Sequence, residues 1–370
     1  MNYVKSTEVR EEGEYEGTAI IRLTERMEVF SSAPLNGGET VTDTIFIMQV
    51  PHDFSCLDYL SVLQDKVKQY GLPEDSVGFM TAAEVRYVFN HVTGTVEGTE
   101  VFTAATAGVT NCVCAGEPLT DWEKKSERSM EIYKKLIAGT INIVTVVPMP
   151  MTVAGKVNLL APIIEAKTLA MRDIGYEETG TTSDALAVVS PIGDDRVPFA
   201  GTGTPLGIAA ARTVRKAVAQ CLRLRGESPE PPTSLEMLGR RGITDDMLWD
   251  CASACGLNEE LKDEFADVID SMGSDPDVCA LVYATITAGS MAEKNCICNQ
   301  MDGEVPEVLV DGTLSMFLAG RISETRGSDA TVDLLRMRPL KDAGLPEYLE
   351  NTAYGLVAGV VGYITGYSDE

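Results

Sequence analysis

The chain has 370 residues, 44% of them hydrophobic, and carries 56 Asp and Glu against 30 Lys and Arg, a net charge of −26. That length buries a core without disulfide staples and suggests two domains or one large one. The acidity excludes nucleic acid as a partner, because phosphate binding needs clustered Lys and Arg.

The start, "MNYVKSTEVREEGEYEG", lacks the basic and apolar regions of a signal peptide, and the nine cysteines are odd in number. Both features predict free thiols in a reducing cytoplasm. Further along, "TIFIMQVP", "EVFTAATAGVT", "TINIVTVVP" and "DALAVVSP" read as strands, each closed by Pro or by a Gly-containing turn. Between and after them "DYLSVLQDKVKQYG", "VNLLAPIIEAKTLAMRDIG" and "GIAAARTVRKAVAQCL" have the helical period. The first part, residues 1–225, is therefore α/β or α+β, with a mixed sheet flanked by helices. "RGESPEPPTS", Arg225 to Ser234, is the best linker, with three prolines closely spaced.

The charge divides unevenly at that point. Up to Arg225 there are 29 acidic and 21 basic residues, beyond it 27 and 9, so the second part carries −18 of the net charge. From about residue 232 to 370, "SLEMLGRRG", "TDDMLWDCASACG", "NEELKDEFADVIDSMG", "PDVCALVYATITAGSMAEKN" and "PEYLENTAYGLVAGVVGYITG" all favour the helical period, with Thr244, Asn258 and Asp275 placed as caps. The second domain is mostly α-helical. Its last segment is shorter than the roughly 20 apolar residues a bilayer span needs, and Gly355, Gly359, Gly362 and Gly366 are spaced for close helix approach.

Three loops of the first part share small hydroxyl and glycine residues: "TAGVTNCVCAG", "ETGTTSDALAVVSP" and "FAGTGTPLGIAAARTVRK". In the last, the backbone N–H groups from Gly201 to Gly207 precede a helix and could hold an anion or a polarised carbonyl. Its GxGxxxG spacing departs from the dinucleotide fingerprint, which argues against a nucleotide enzyme. Glu165 stands two residues before Lys167, on different faces of a helix, so one of them faces inward. Asp184 sits at the start of an apolar strand, where a carboxylate can project into a cleft or cap a turn. His52 and His91 are too few for a histidine metal triad, and the CxC pairs Cys112/Cys114 and Cys296/Cys298 lack the CxxC spacing of structural zinc. "VLVDGTLS" has Leu309 where an aspartyl phosphatase needs its nucleophile.

Taken in order, "FSSAPLNGG", "VGFMTAAEV", "TAGVTNCVCAG", "GTINI", "EAKTLAMRDIG", "GTTSDALAVVS" and "FAGTGTPLG" closely resemble the adenosylcobinamide amidohydrolase family of corrinoid salvage, over about Arg22 to Leu222. Cys112 and Cys114 depart from that pattern. The resemblance implies hydrolysis of the amide between aminopropanol and a propionate of the corrin ring, giving adenosylcobyric acid. Small Thr, Asn and Gly groups suit a flat macrocycle rimmed with amides. After the linker, "LEMLGRRGITDDMLWDCA", "DVCALVYATITAGSM" and "LPEYLENTAYGLVAGVVGYITG" resemble phosphatidylglycerophosphatase A related proteins, one branch of which dephosphorylates α-ribazole phosphate. Paired aspartates are expected where this chain has Glu350 and Asn351.

Amide hydrolysis needs a nucleophile or activated water, a proton donor and an oxyanion pocket. The candidates are Asp184 or Glu165 as base, Lys167 as proton or charge partner, and Thr110 as a rival nucleophile. Asn111, Thr181, Ser183, Gly201, Thr202, Gly203 and Thr204 are expected to contact substrate. No cofactor is expected for this domain. In the second, Mg²⁺ on Asp311 and Glu350 would bridge a phosphomonoester to an acidic surface, with Arg336 and Arg338 on phosphate oxygens and Asp245 and Asp246 as helix caps. The rival reading is a non-catalytic corrinoid carrier or sensor with an oligomerisation domain; a homo-oligomer is left open.

Overall fold

The chain opens with a long hairpin, β1 (Val4–Gly13) antiparallel to the first half of β2 (Glu16–Ser31). The computed structural model describes residues 3–13, 16–51, 54, 58–109, 112–116, 140–225, 232–297 and 312–367, in two compact units, Met1–Pro229 and Glu230–Glu370.

In the first unit there follow β3 (Gly38–Gln49), α1 (Tyr59–Tyr70), β4 (Val77–Thr81), α2 (Val85–Val88), β5 (Asn90–Val96), β6 (Thr99–Ala107), β7 (Cys112–Val113), β8 (Ile141–Val146), α3 (Val153–Ile174), β9 (Gly180–Thr181), β10 (Ala185–Ser190) and α4 (Pro205–Arg225). Eight strands form one mixed sheet in the order β4-β3-β2-β10-β8-β6-β5, with β1 also on β2; β7 and β9 form a separate pair. β3 with β4 and β8 with β10 run parallel, the remaining neighbours antiparallel. The β5–β6 hairpin turns through Glu97 (φ 47°) and Gly98 (φ 80°), two consecutive left-handed residues of the kind a two-residue hairpin needs.

Side chains divide by parity along the strands, as the pleat requires. Ile21, Ile45, Ile47, Phe102, Ala104, Val144, Val146, Ala187 and Val189 share one apolar cluster made almost wholly of strand residues. The sheet therefore coils so that its two limbs share this face; the Asn142 amide of β8 donates to Met80 O of β4 at 3.0 Å, although the two strands are not sheet neighbours. On the outer faces Ile20, Phe46 and Met48 meet Leu63 and Val67 of α1, while Val101, Ile141, Ile143 and Val188 meet α3 and α4. A Cβ on Gly78 would lie 2.5 Å from the Phe46 ring, so the glycine makes room for that side chain. Phe46 is fully buried, and truncation to alanine costs about 3–5 kcal/mol.

Both outer helices are fixed at their ends. Thr152 Oγ1 accepts from Gly155 N at 2.9 Å to start α3, and Gly175 (φ 102°) ends it; Thr204 Oγ1 accepts from Gly207 N at 3.0 Å to start α4 behind Pro205.

The second unit contains α5 (Ser234–Gly239), α6 (Asp245–Ala254), a 3₁₀ turn (Glu259–Leu261), α7 (Lys262–Gly273), α8 (Pro276–Ile297), α9 (Thr313–Met337) and α10 (Glu347–Tyr367). Their core gathers Trp249, Phe265, Val282, Leu318, Leu334, Tyr354 and Val357. Thr244 caps α6, accepting from Met247 N at 3.3 Å, whereas Asp245 and Asp246 occupy its first turn, beside the positive end of the helix dipole. Asp275 caps α8 through Asp277 N and Val278 N. The class expected from the sequence holds: a mixed sheet flanked by helices, then a mostly helical region. Among the described residues no helix is long and apolar enough to cross a membrane.

Candidate active site

Lys167 faces inward from α3 and forms an ion pair with Asp184, their side chains 11% and 12% exposed. Glu165, two residues earlier, is on the exposed face of the helix. Asp184 immediately precedes β10, and the turn from Thr181 folds onto it. Thr181 Oγ1 donates to Asp184 Oδ1 at 2.5 Å, Thr181 N reaches both carboxylate oxygens at 3.2 Å, and Ile141 N donates to Oδ1 at 3.1 Å. With Lys167 on Oδ2, the lone pairs of this carboxylate are engaged. To act as a base it must first release a donor, so its present geometry suits orienting Lys167. Ser183 is exposed at the same turn, and its carbonyl accepts from Thr140 Oγ1 at 2.7 Å.

Six of the sequence motifs meet around this pair. Cys112 and Val113 pair with Thr181 and Gly180. Thr168 Oγ1 donates to Thr179 O at 3.1 Å, and Ala115 N to Thr179 Oγ1 at 2.8 Å. Ser32 and Leu186 exchange two hydrogen bonds at 3.0 Å each. Gly108 N donates to Thr140 O at 3.0 Å, and Asn142 bridges to Met80.

The seventh motif lies elsewhere. Ala200 N donates to Asn158 Oδ1 at 2.8 Å, near the start of α3, and α3 begins at the opposite end of β10 from Asp184. The strand's rise puts roughly 20 Å between the two ends. Thr202 and Gly203 are exposed there, while Gly201 O accepts from Thr204 N at 3.0 Å and Thr204 caps α4. Gly201, Thr202, Gly203 and Thr204 are thus not brought to Asp184. Thr110 and Asn111 lie outside the described residues.

Thr103 and Thr106 are fully buried within the sheet: Thr103 Oγ1 meets Thr213 Oγ1 at 2.8 Å, and Thr106 Oγ1 accepts from Asn142 at 3.3 Å. Burial pushes the Cys112 thiol up to about 12, reinforced by the charges of Glu178 and Asp184 and opposed by Arg225. Such a thiol is neutral at physiological pH and no nucleophile. None of Cys112, Cys114, Cys221, Cys251, Cys255 and Cys279 is in a disulfide. His91 stacks on Phe102, and among the described residues no group of three His, Cys, Asp or Glu is placed to hold a metal ion.

One charged cluster escaped the sequence reading. Lys156, 2% exposed, donates to Glu28 Oε2 at 2.6 Å, and Arg196 grips Glu28 at 2.6 and 3.2 Å. Glu28 pairs with Ser190, at the far end of β10 from Asp184. Its partners are distant in sequence, Lys156 by 128 residues, so no local pattern marks it.

In the second unit Glu350 is 2% exposed; it accepts from Arg338 Nη2 at 2.9 Å and from Tyr354 OH at 3.4 Å. Burial, with the Glu350 charge, lifts the Tyr354 hydroxyl above the usual tyrosine range. Arg338 also lies 3.7 Å from Glu347, and Arg336 belongs to the last turn of helix α9. Asp311 lies outside the described residues. Of the two expected Mg²⁺ ligands only Glu350 is among the described residues, and its carboxylate is matched by the Arg338 guanidinium.

The buried lysine–carboxylate pair at the end of a mixed sheet defines a candidate hydrolytic site, and the sequence comparisons name its family. A family profile described as adenosylcobinamide amidohydrolase matches residues 1–230, and the chain belongs to that family. The adenosylcobinamide amidohydrolase of Methanosarcina mazei is 28% identical over 205 residues, 53% of this chain and 90% of its own. That of Halobacterium salinarum is 28% identical over 213 residues, 57% of this chain and 86% of its own. A solved protein from Pyrococcus horikoshii covers 60% of this chain and 87% of its own at 12% identity, with a TM-score of 0.33, too low to carry an argument.

Proposed function

We propose that the chain hydrolyses the aminopropanol amide of adenosylcobinamide to adenosylcobyric acid. The observation that carries this reading is the buried Lys167–Asp184 pair, at the point where six motifs resembling this family converge. In the reaction the oxygen of water adds to the acyl carbon, the C–N bond breaks, and the amine leaves with a proton. Asp184, anchored by Thr181 and Ile141, holds Lys167 in place. Lys167 supplies a proton to the leaving nitrogen. The attacking group is water or Thr110. Incubation with adenosylcobinamide, followed by mass spectrometry, is expected to show adenosylcobyric acid. In ¹⁸O water an acyl adduct on Thr110 separates the two routes. A folded protein that forms no product refutes the proposal.

The rival reading, a corrinoid carrier, has one observation in its favour: neither carboxylate expected from the sequence to act as base is poised for it, since Asp184 is fully engaged and Glu165 is exposed on the outer face of α3. Tight binding of adenosylcobinamide without turnover, unchanged in Asp184→Asn, would establish it.

For the helical unit, which lies beyond the family match, dephosphorylation of α-ribazole phosphate remains a proposal resting on motif resemblance. Phosphate release by the full chain, with and without Mg²⁺, tests it. No release with any divalent cation leaves this unit a structural partner.

A further inference from the structure

Hydrolysis of an amide turns a neutral acyl group into an oxyanion and then into a carboxylate. A site for it needs a cation that meets the acyl oxygen. Lys167 is already bound to Asp184, and an ammonium so engaged is a weak partner for a second anion. A second cation approaches from the neighbouring helix. Arg225 is the last residue of α4, and a Cβ built on Gly108 would lie 2.9 Å from Arg225 Nη1 and 2.9 Å from Ala83 Cβ. The guanidinium thus rests against the bare backbone of Gly108.

Gly108 is tied to the candidate site by two hydrogen bonds in series. Its N–H donates to Thr140 O at 3.0 Å, and the next amide, Ile141 N, donates to Asp184 Oδ1 at 3.1 Å. Since adjacent strands are about 4.8 Å apart, Gly108, against which Arg225 rests, lies roughly 10 Å from Asp184. The Cys112 thiol feels both Asp184 and Arg225, with opposite sign, so both charges lie near it.

We propose that Arg225 is a substrate-binding cation of the amidohydrolase site, which takes up the acyl oxygen as it becomes negative and holds the product carboxylate. The assignment rests on the amidohydrolase reading above. A guanidinium suits the task because its five N–H donors form a rigid fork, so one edge can receive a carboxylate while the others keep their contacts. Gly108 matters for the same reason: any side chain there would push the guanidinium aside.

The test compares two ligands that differ at one group. Binding of adenosylcobyric acid and of adenosylcobinamide to the full-length protein is followed through the corrin absorbance, for wild type, Arg225→Gln, Arg225→Lys and Gly108→Ala. Loss of one charge-assisted contact predicts about tenfold or greater weakening for the acid in Arg225→Gln, less than about threefold for the amide, and a fall in kcat with little change in KM. Arg225→Lys should recover part of the loss, since charge remains and the fork does not. If Arg225→Gln fails to fold, Gly108→Ala carries the test and should show the same selectivity for the acid. Equal weakening for both ligands, or none for either, overturns the role of Arg225 alone. A wild-type protein that binds and converts neither corrinoid overturns the amidohydrolase reading and this assignment with it.

Discussion

Gly180 lies so close to Asp184 that a methyl group on its α-carbon would overlap both Asp184 Oδ2 and Lys167 Nζ. The lysine end can swing, but the carboxylate is held by Thr181 and Ile141 and has nowhere to go. Gly180→Ala is therefore expected to part the ion pair while costing about 1–3 kcal/mol in stability, the usual range for overpacking. Turnover should fall further than stability explains. Full activity in Gly180→Ala would show that the pair is not needed.

The two carboxylates proposed from the sequence should separate sharply. Glu165→Gln changes an exposed group on the outer face of α3 and should leave activity and stability unchanged, as surface substitutions usually stay within about 0.5 kcal/mol. Asp184→Ala strands a buried ammonium and should cost about 3–5 kcal/mol, along with activity. Lys167→Met leaves Asp184 with its Thr181 and Ile141 donors, so it should be milder on stability and equally severe on turnover. Side-by-side urea unfolding and steady-state assays check all three. Loss of activity in Glu165→Gln would reverse the assignment.

Much of this site was legible before the structure. The two-residue offset of Glu165 and Lys167 announced that one would turn inward, and the position of Asp184 ahead of "ALAVV" marked a strand end. What the sequence could not say was which motifs share an end of the sheet. Parallel β8 and β10 put "GTINI" beside "GTTSD", whereas the crossover after β10 carries "FAGTGTPLG" to the other end. Thr103 and Thr106 show a related limit. Alternation marks a strand, but only the helices packed on it decide whether a hydroxyl lines a cleft or meets Thr213 in the core. Strands β1 and β2 and helix α9 gave no clear signal: charged residues interrupt the first two, and glycines and acidic residues punctuate the third.

Glu28 should govern part of the acid stability. Burial alone would raise its pKa, but hydrogen bonds from Lys156 and Arg196 and their charges outweigh it, and the net shift is below the ordinary 4.5. A depressed folded-state pKa means the stabilisation is complete above the unfolded value. It is lost as pH falls through the lower, folded one. Glu28→Gln should lose about 3–5 kcal/mol at neutral pH, since Lys156 is left buried without its counter-charge. Its stability should also depend less on pH below about 4.5 than wild type does. Parallel pH dependence in the two proteins would contradict this.

Cys112 sits beside Thr181 but should be chemically quiet. With its thiol pushed up to about 12, almost none is thiolate at neutral pH, so iodoacetamide should label it far more slowly than a free thiol in denaturant. Asp184→Asn removes one of the charges that raise the thiol and should speed labelling. Cys112→Ala should retain turnover. Rapid labelling in the native protein, or loss of activity in Cys112→Ala, would return the thiol to the mechanism.

The glycines of α10 offer a test in the second unit. A Cβ on Gly355 would lie 2.6 Å from Ser315 O and 2.9 Å from Ser315 Cα, and one on Gly359 would lie 2.8 Å from Ile322 Cβ. At Gly355 the obstacle is backbone of α9, which cannot rotate away, so Gly355→Ala should cost about 1–3 kcal/mol through overpacking. At Gly359 the nearest backbone atom, Ala319 Cα, is farther away at 3.2 Å, and the loss should be smaller. Gly239, at the end of α5, has nothing within 4 Å of its would-be Cβ and no left-handed φ. There the alanine only restricts the unfolded chain, so Gly239→Ala should gain about 0.4–1 kcal/mol. The order Gly239→Ala above wild type, then Gly359→Ala, then Gly355→Ala in urea unfolding is what close packing of α9 on α10 requires. If Gly355→Ala matches wild type, the glycines do not serve that contact.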